Sequence, residues 1–395
     1  MTERSLNDRP DDISSPESVE PEDARTEAGF IKPWDPGKIR ITTKNFSLRD
    51  VVDQIDDKDI DLSPDFQRDY VWKSRQRTRL IESILLGIPL PAFYFNQTAD
   101  GRYQVVDGVQ RLSTIALFMN DNHRLDEKDL EYLSDLHGSI HSDLDPPAVR
   151  RFRSTQIVVH IIEPQTPDEV KYDIFNRVNT LGSPLSPQEI RHAMSKPRSR
   201  AFLRRLIELN DFDEATEYQF WQKNKDTGDI ERDSGRMTNR ELALRFCAFR
   251  HFSEDIYRQY TSLDSYLIEF TRRLDKQSDR HSPIEDDEIE SLERDFQRAM
   301  RNSRMILGNA AFRRWPYQQQ RRGPINRAVF EAQANAFADY ECEDLLPRRD
   351  VILDAFRTSF EDPLYLRAVT VATGDPKAVS LRLERTRQIL AEVLE

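Results

Sequence analysis

The sequence predicts an α+β protein in which a small mixed domain precedes a larger, mainly helical one. Two short strand-like runs lie close to two amphipathic helices between residues 74 and 119. Beyond residue 165, apolar residues recur with helical spacing almost to the end of the chain. A chain of 395 residues is long enough for two or three domains. We expect an acidic tail at 1–30, a mixed domain at 31–165 and a helical domain at 166–395.

The first segment is an acidic tail. Residues 1–30 contain nine acidic and three basic side chains, and so carry half of the formal net charge of −12. Abundant Asp, Glu, Pro and Ser with almost no aromatic residues predict that this segment is disordered. A solvated terminus accounts for the composition, and a tail that binds a partner is the alternative.

The mixed domain is predicted from four consecutive elements. Residues 74–86 place their apolar side chains on one helical face, and a glycine with two prolines then ends the helix. Residues 92–96 form an extended run, and residues 102–106 alternate as a second strand does. Residues 110–119 have helical spacing. The predicted order is loop, helix, strand, strand, turn, helix.

Asp107 and Gly108 form the turn between the second strand and the helix after it. A glycine there lets the backbone approach a ligand, and the free N–H groups of a helix start attract anions. Arg111 can donate to two phosphate oxygens at once, and Gln110 can donate from its amide. The pattern therefore predicts a site for nucleotide phosphates. A plain left-handed turn without a ligand is the alternative.

A second Gln–Arg pair, Gln67 and Arg68, precedes the first helix and is expected to join this site. The hydroxyls of Ser113 and Thr114 lie one step further along the second helix. Either could contact a phosphate or a metal-bound water, although hydroxyls within a helix more often donate to their own backbone.

Four blocks of sequence occur in order between residues 45 and 195. They are Phe66-Gln67-Arg68 with Val71-Trp72, the run 80–91, Val105-Val106-Asp107-Gly108-Val109-Gln110-Arg111-Leu112, and the run 174–186 followed by Glu189-Ile190. Together these blocks resemble the N-terminal domain of GmrSD-type restriction systems, a family similar to the ParB and sulfiredoxin fold. Several blocks in order are more specific than any one alone. The resemblance implies a ParB/sulfiredoxin-like, nucleotide-binding fold for residues 31–165.

An Asp-Gly-Gln-Gln-Arg motif is associated with nucleotide binding and hydrolysis in that family. The resemblance therefore implies that Gly108, Gln110 and Arg111 bind the nucleotide and that Asp107, Gln110 and Arg111 act in catalysis. Val109 stands where the family usually has its first Gln. The contact made by that amide is missing here, which bears on hydrolysis more than on binding.

The last block supplies two further candidates, Asn176 and Asn179, for nucleotide binding. A triphosphate usually brings Mg²⁺, which takes one or two protein groups and keeps several waters. The alternative is a helix C-cap followed by a left-handed turn. Asp107, Glu82 and Glu189 are the carboxylates considered for the metal, and each also has a structural interpretation. The metal ligands stay unassigned.

The helical half is predicted from nine amphipathic runs and one short extended run. The helices are expected at 167–178, 187–194, 198–209, 236–252, 263–274, 289–307, 326–340, 348–360 and 378–394, and the extended run at 365–371.

One stretch of this half is strongly basic. Residues 296–330 contain eight arginines and no acid. Arginines interleaved with Trp315 and Tyr317 could contact nucleic acid, for which Arg313, Arg314, Arg321 and Arg322 are the candidates. Pairing with the acidic helix start at 286–293 is the alternative.

Several classes of protein are disfavoured. Two cysteines do not suggest a disulfide scaffold or a metal cage, and the first residues lack the apolar core of a signal peptide. No stretch has membrane-spanning length, so we expect a cytoplasmic location without membrane contact. The seven histidines are scattered, and neither an HNH-type nuclease pattern nor a Walker-type glycine loop occurs.

The leading hypothesis is a nucleotide-binding sensor, a nucleoside triphosphatase with Mg²⁺, in a bacterial restriction or anti-phage system. Its partners would be the triphosphate, DNA and a separate nuclease subunit. The alternatives are a Mg²⁺-dependent nuclease that uses Glu82 and Asp107, and an interaction module without catalysis.

Overall fold

The computed structural model describes residues 19–20, 36–62, 72–178, 186–223, 230–232 and 236–395. The chain divides into two compact units. The α/β unit is Pro33–Met194, and the helical unit combines Met1–Lys32 with Ser195–Glu395. This division lies later than the predicted boundary at residue 165, because the two helices that follow it pack within the α/β unit.

The α/β unit contains five strands and six helices within its described residues. In chain order they are β1 (Ile41–Ser47), α1 (Leu48–Asp56), β2 (Ile60–Asp61), α2 (Ser74–Leu85), β3 (Phe93–Gln97), β4 (Tyr103–Asp107), α3 (Val109–Met119), α4 (Pro146–Ser154), β5 (Gln156–Ile162), α5 (Asp168–Val178) and α6 (Pro187–Met194). The predicted order of α2, β3, β4, turn and α3 is confirmed, with ends shifted by one residue at most. The sequence patterns missed β1, α1, β2, α4 and β5.

The five strands form one mixed sheet with the order β1-β5-β3-β4-β2. β5 pairs antiparallel with β1 and parallel with β3, while β3 and β4 form an antiparallel hairpin that turns at Gly101 with φ of +90°. Fully buried Phe93, Phe95 and Val159 alternate along their strands and pack on one face of the sheet with α1 to α4. This face forms the core that supports the β4–α3 turn.

The helical unit consists of eleven helices and one hairpin within its described residues. They are α7 (Pro197–Ile207), α8 (Asn210–Ala215), β6 (Trp221–Lys223), β7 (Ile230–Arg232), α9 (Thr238–Phe249), α10 (Glu254–Tyr257), α11 (Leu263–Leu274), α12 (Asp286–Leu307), α13 (Arg327–Phe337), α14 (Cys342–Leu345), α15 (Arg349–Ser359), α16 (Pro363–Thr370) and α17 (Pro376–Leu394). Together with the mixed sheet, these elements confirm the α+β class.

One prediction for the helical half is wrong. The run 365–371 is largely helical rather than extended, because Asp362 caps α16 and Pro363 occupies its first turn, where proline is favoured. The half is mainly helical as predicted, and its antiparallel hairpin of β6 and β7 was not predicted. The nine predicted helices all exist, and their limits differ by a few residues.

The predicted disordered tail falls mostly outside the described residues. Its exception is Val19 and Glu20, which lie on the helical unit. The backbone N–H of Glu20 donates to the carbonyl of Ile325 at 2.8 Å, and Val19 packs against the main apolar cluster of that unit. A composition typical of disorder therefore does not describe these two residues.

Candidate functional site

The turn between β4 and α3 depends on the glycine at its centre. Gly108 has φ of +98° and ψ of 8°, a left-handed conformation that side chains other than glycine adopt at a cost. A Cβ atom at this position would lie 2.3 Å from Cδ1 of Phe93, whose ring is fully buried in the core. Both the backbone angle and the close contact with Phe93 therefore require glycine.

The start of α3 has no side-chain cap at this turn. Gly108 provides no side-chain cap, and the Leu112 N–H donates to the Gly108 carbonyl at 2.9 Å. The amides of the first helical turn have no preceding carbonyl within the helix, so they can donate to an anion. The pairing of β3 with β4 also shifts between Tyr94 and Phe95, next to the pair Tyr94–Asp107. Such irregularities are common beside functional sites.

Arg111 braces the turn from one helical turn further on. Its guanidinium donates to the carbonyls of Pro91 and Ala92 and, at 2.8 Å, to Oδ2 of Asp107. It also lies 4.2 Å from the ring centroid of Phe93. Burial lowers the pKa of the guanidinium, and the negative charge of Asp107 opposes that effect. Three of the five N–H donors of Arg111 are thus used within the protein.

Gln110 has a polar atom that the described part of the chain leaves unsatisfied. Its Oε1 is buried and has no hydrogen-bond partner among the described residues. A buried carbonyl of this kind costs free energy unless a ligand or water donates to it, and rotation of the amide by half a turn would present its NH₂ group instead. Gln110 is therefore the side chain of the motif that most clearly lacks an internal function.

The neighbouring hydroxyls are buried within the helix. Thr114 donates to the carbonyl of Gln110 at 2.8 Å, which is the bond to its own helix that the sequence favoured. Ser113 is 3% exposed. Neither hydroxyl is presented openly to a ligand.

Asp107 is the carboxylate at the turn. Its side chain is 35% exposed, and Oδ2 accepts from Arg111. Its second oxygen has no hydrogen-bond partner within the described part of the chain. A half-exposed carboxylate with one uncommitted oxygen fits the way Mg²⁺ is held by one or two protein groups and water.

The other predicted ligands are only partly described. Gln67, Arg68 and Asn179 lie outside the described residues. Asn176 is exposed near the end of α5, and α5 packs beside β4, the strand that ends at Asp107. Nucleotide binding by Asn176 thus stays a prediction, and its helix α5 packs beside the strand that leads to the candidate site.

Glu82 and Glu189 have structural functions instead. The Glu82 carboxylate accepts from the backbone N–H groups of Glu131, Tyr132 and Leu133 at 2.7 to 3.1 Å. Burial raises the pKa of Glu82, but these backbone donors outweigh that effect and lower it overall. Glu189 accepts from the N–H of Ser186 as a cap of α6. The nuclease alternative therefore lacks Glu82 as a free metal ligand.

Sequence reasoning missed the partners of Arg111. Phe93 and the carbonyls of Pro91 and Ala92 determine where the guanidinium lies, although they are about twenty residues away along the chain. The local signal was the run Leu90-Pro91 before a strand. It indicated an extended segment but gave no information about a contact with Arg111.

Residues 48–196 match a family model described as the N-terminal domain of the GmrSD restriction endonuclease. This region belongs to that domain family. The GmrSD N-terminal domain match ends two residues after the α/β unit, so α5 and α6 fall inside both. It also contains the entire Asp107–Arg111 motif. No curated protein matches the chain.

The arginine candidates of the helical unit are mostly paired. Arg313 and Arg322 lie against Glu217, the first at 3.5 Å, and Arg314 pairs with Glu20. Arg321 is exposed. Arg313, Arg314 and Arg322 thus pair with Glu217 and Glu20 rather than with the alternative, the acidic helix start at 286–293.

Among the described residues, no group of three or more His, Cys, Asp or Glu side chains is placed to hold a metal ion. None of the described helices is both long and apolar enough to cross a membrane.

Proposed function

We propose that the α/β unit binds a nucleoside triphosphate with Mg²⁺ at the β4–α3 turn and serves as the nucleotide sensor of a restriction system. The single observation that carries this proposal is Gly108. Its left-handed backbone and its contact with Phe93 require glycine, and the first turn of α3 that follows is uncapped and lies beside an Arg–Asp pair. A helix start of this kind attracts phosphate oxygens.

Each residue of the motif would contact a different part of the bound nucleotide or its Mg²⁺. The amides at the start of α3 and the side chain of Gln110 would contact the phosphates or the sugar hydroxyls. Arg111 would hold the turn in place through Asp107 and the carbonyls before β3, and its remaining N–H donors would face the phosphates. The free oxygen of Asp107 would receive Mg²⁺ directly or through water, and Mg²⁺ would neutralise phosphate charge.

The biological setting rests on the family. Its description names a restriction endonuclease, which supports a function in bacterial defence against foreign DNA. We propose that nucleotide binding changes how this protein engages DNA or a separate nuclease subunit. Hydrolysis belongs to the same proposal, with Asp107, Gln110 and Arg111 as the catalytic residues.

The structure indicates which variant tests the site without disturbing the fold. Arg111→Ala would break three internal hydrogen bonds, so a loss of binding could reflect a damaged turn. Gln110→Leu keeps the size of a side chain whose amide oxygen has no partner among the described residues. The matched control is Gln97→Leu, because Gln97 lies at the opposite end of β3 from Phe93.

Binding of ATP, GTP, CTP and UTP with Mg²⁺ should be measured by calorimetry, together with phosphate release. We expect Gln110→Leu to weaken binding of the preferred nucleotide about tenfold, as for a lost buried hydrogen bond, and Gln97→Leu to leave it unchanged. Absence of binding by the wild-type protein to all four nucleotides would refute the proposal. Binding without phosphate release would support the sensor function but contradict the assignment of Asp107, Gln110 and Arg111 as catalytic residues.

A further inference from the structure

The arginines of 296–330 differ in where their acidic partners come from. Within the described residues, six of the eight pair with acids of the body of the helical unit: Arg298 with Asp295 and Glu341, Arg301 with Asp211, Arg304, Arg313 and Arg322 with Glu217, and Arg327 with Glu241. Arg321 is exposed and has no ion-pair partner there. Arg314 alone pairs with an acid of the N-terminal segment, Glu20.

Glu20 is held by its backbone as well as by its side chain. Nε of Arg314 donates to Oε2 at 3.0 Å and Nη2 donates to Oε1, a bidentate contact. Nδ2 of Asn326 donates to Oε2 at 2.9 Å, and Nη1 of Arg327 donates to the Glu20 carbonyl at 2.9 Å. With the Ile325 contact, every polar group of Glu20 has a partner. This is a formed site for an anionic group.

The surface beside Arg314 has the chemistry of a single-stranded nucleic-acid site. The guanidinium of Arg357 lies 4.6 Å from the Trp315 ring and 4.2 Å from the Tyr317 ring, and Tyr317 is 45% exposed. Arg321 follows four residues later. Stacked aromatic and arginine groups bind bases, and arginines bind the phosphates between them.

We propose that Arg314 belongs to a phosphate site for single-stranded nucleic acid and that Glu20 fills this site as a tethered competitor. Both a carboxylate and a phosphodiester accept two parallel N–H bonds from a guanidinium, so one can replace the other. Because Glu20 is part of the same chain, it competes at a high effective concentration. Departure of the segment frees Arg314 while the other paired arginines keep their partners. This site is independent of the nucleotide site at Gly108.

The test compares the affinity of full-length variants for a labelled oligothymidylate of about 15 nucleotides, by fluorescence anisotropy at several salt concentrations. Glu20→Gln should bind about three to ten times more tightly than wild type. Its plot of log affinity against log salt should steepen by about 0.7, the value for one additional phosphate contact on a single strand.

Three variants serve as controls. Glu22→Gln removes the same charge from the same segment and should change the affinity less than about twofold. Glu20→Gln/Arg314→Gln should lose the whole gain. Arg321→Gln should weaken binding about threefold without affecting the fold, because this exposed side chain has no ion-pair partner within the described ranges.

Other outcomes would overturn the proposal. An equal gain in Glu22→Gln would show a general charge effect, and no binding or no gain in Glu20→Gln would show that Glu20 does not compete. Hydrogen exchange supplies a second measurement, since the Glu20 amide bonds to Ile325. Slow exchange in wild type and faster exchange in Glu20→Gln are expected, and an unprotected Glu20 amide in wild type would contradict the docked state.

Discussion

The two units each contain an arginine held by a carboxylate, but the surroundings of these pairs differ. In the α/β unit, Arg111 and Asp107 are 14% and 35% exposed, and the neighbouring Gln110 carries an unsatisfied oxygen. In the helical unit, the side chains of Arg382 and Glu331 are both fully buried. An arginine–carboxylate pair thus lies at an accessible turn in one unit and inside the core in the other.

The buried pair is part of a larger network. Nε of Arg382 donates to Glu331 at 2.7 Å, and its Nη1 donates to the Thr373 carbonyl at 2.6 Å. Arg245 lies 3.5 Å from the other oxygen of Glu331 and pairs with Glu241 at 2.8 Å. These four side chains are at most 5% exposed, so solvent does not reach the network. An arginine–carboxylate pair is therefore a candidate binding site only where solvent reaches it.

The largest effect is expected in the buried network. Arg382→Met leaves Glu331 charged in the core with one cation fewer, so the free energy of unfolding should fall by about 3–5 kcal/mol. Arg385→Met on the same helix removes an exposed pair with Glu392 and should change it by less than about 0.5 kcal/mol. Denaturant unfolding of both variants measures the difference. Similar values for the two would mean that burial does not distinguish these pairs.

The second comparison concerns two glycines in left-handed conformations. Gly108→Ala combines backbone strain with a clash against Phe93, and should lower the free energy of unfolding of the α/β unit by about 2–4 kcal/mol. Gly87 has φ of +78°, but the methyl group that Gly87→Ala adds would have nothing within 4 Å. Only backbone strain remains, so the loss should be about 1 kcal/mol. Equal losses in thermal or denaturant unfolding would show that the Phe93 contact relaxes without cost.

The smallest effect is expected in the pH dependence of the melting temperature of the α/β unit. Burial lowers the pKa of His123 and of His141, both in the α/β unit, and Arg77 and Arg153 respectively add to this effect. Their lowered pKa values mean that the unfolded chain binds protons first, so stability is lost as the pH falls below about 6.5. We expect the melting temperature of this unit to fall by roughly 2–4 °C between neutral and mildly acidic pH.

Calorimetry of the full chain at several pH values tests this expectation. The His123→Gln variant should show a weaker dependence on pH for the α/β transition than the wild type. A transition whose temperature does not change on acidification would contradict the assignment of a lowered pKa to these two histidines.

Local sequence patterns were sufficient for α2, α3 and the nine helices predicted beyond residue 165, for the β3–β4 hairpin and for the turn at Gly108. Each follows from the spacing of apolar residues or from a glycine at a strand–helix junction, which are signals within a few residues. The family resemblance added the motif and its proposed chemistry. Short or edge elements, such as β2 and the β6–β7 hairpin, were missed because they bury too few residues to give a recognisable spacing of apolar residues.

Only the tertiary structure decided what each charged residue does. Arg111 braces a turn through carbonyls about twenty residues earlier, Glu82 caps a loop about fifty residues later, and Glu20 reaches Arg314 across almost three hundred residues. The local sequence around a charged residue is the same whether its side chain is paired within the protein or available to a ligand. The difference lies in burial and in partners that are distant along the chain, and these are set by how the elements pack.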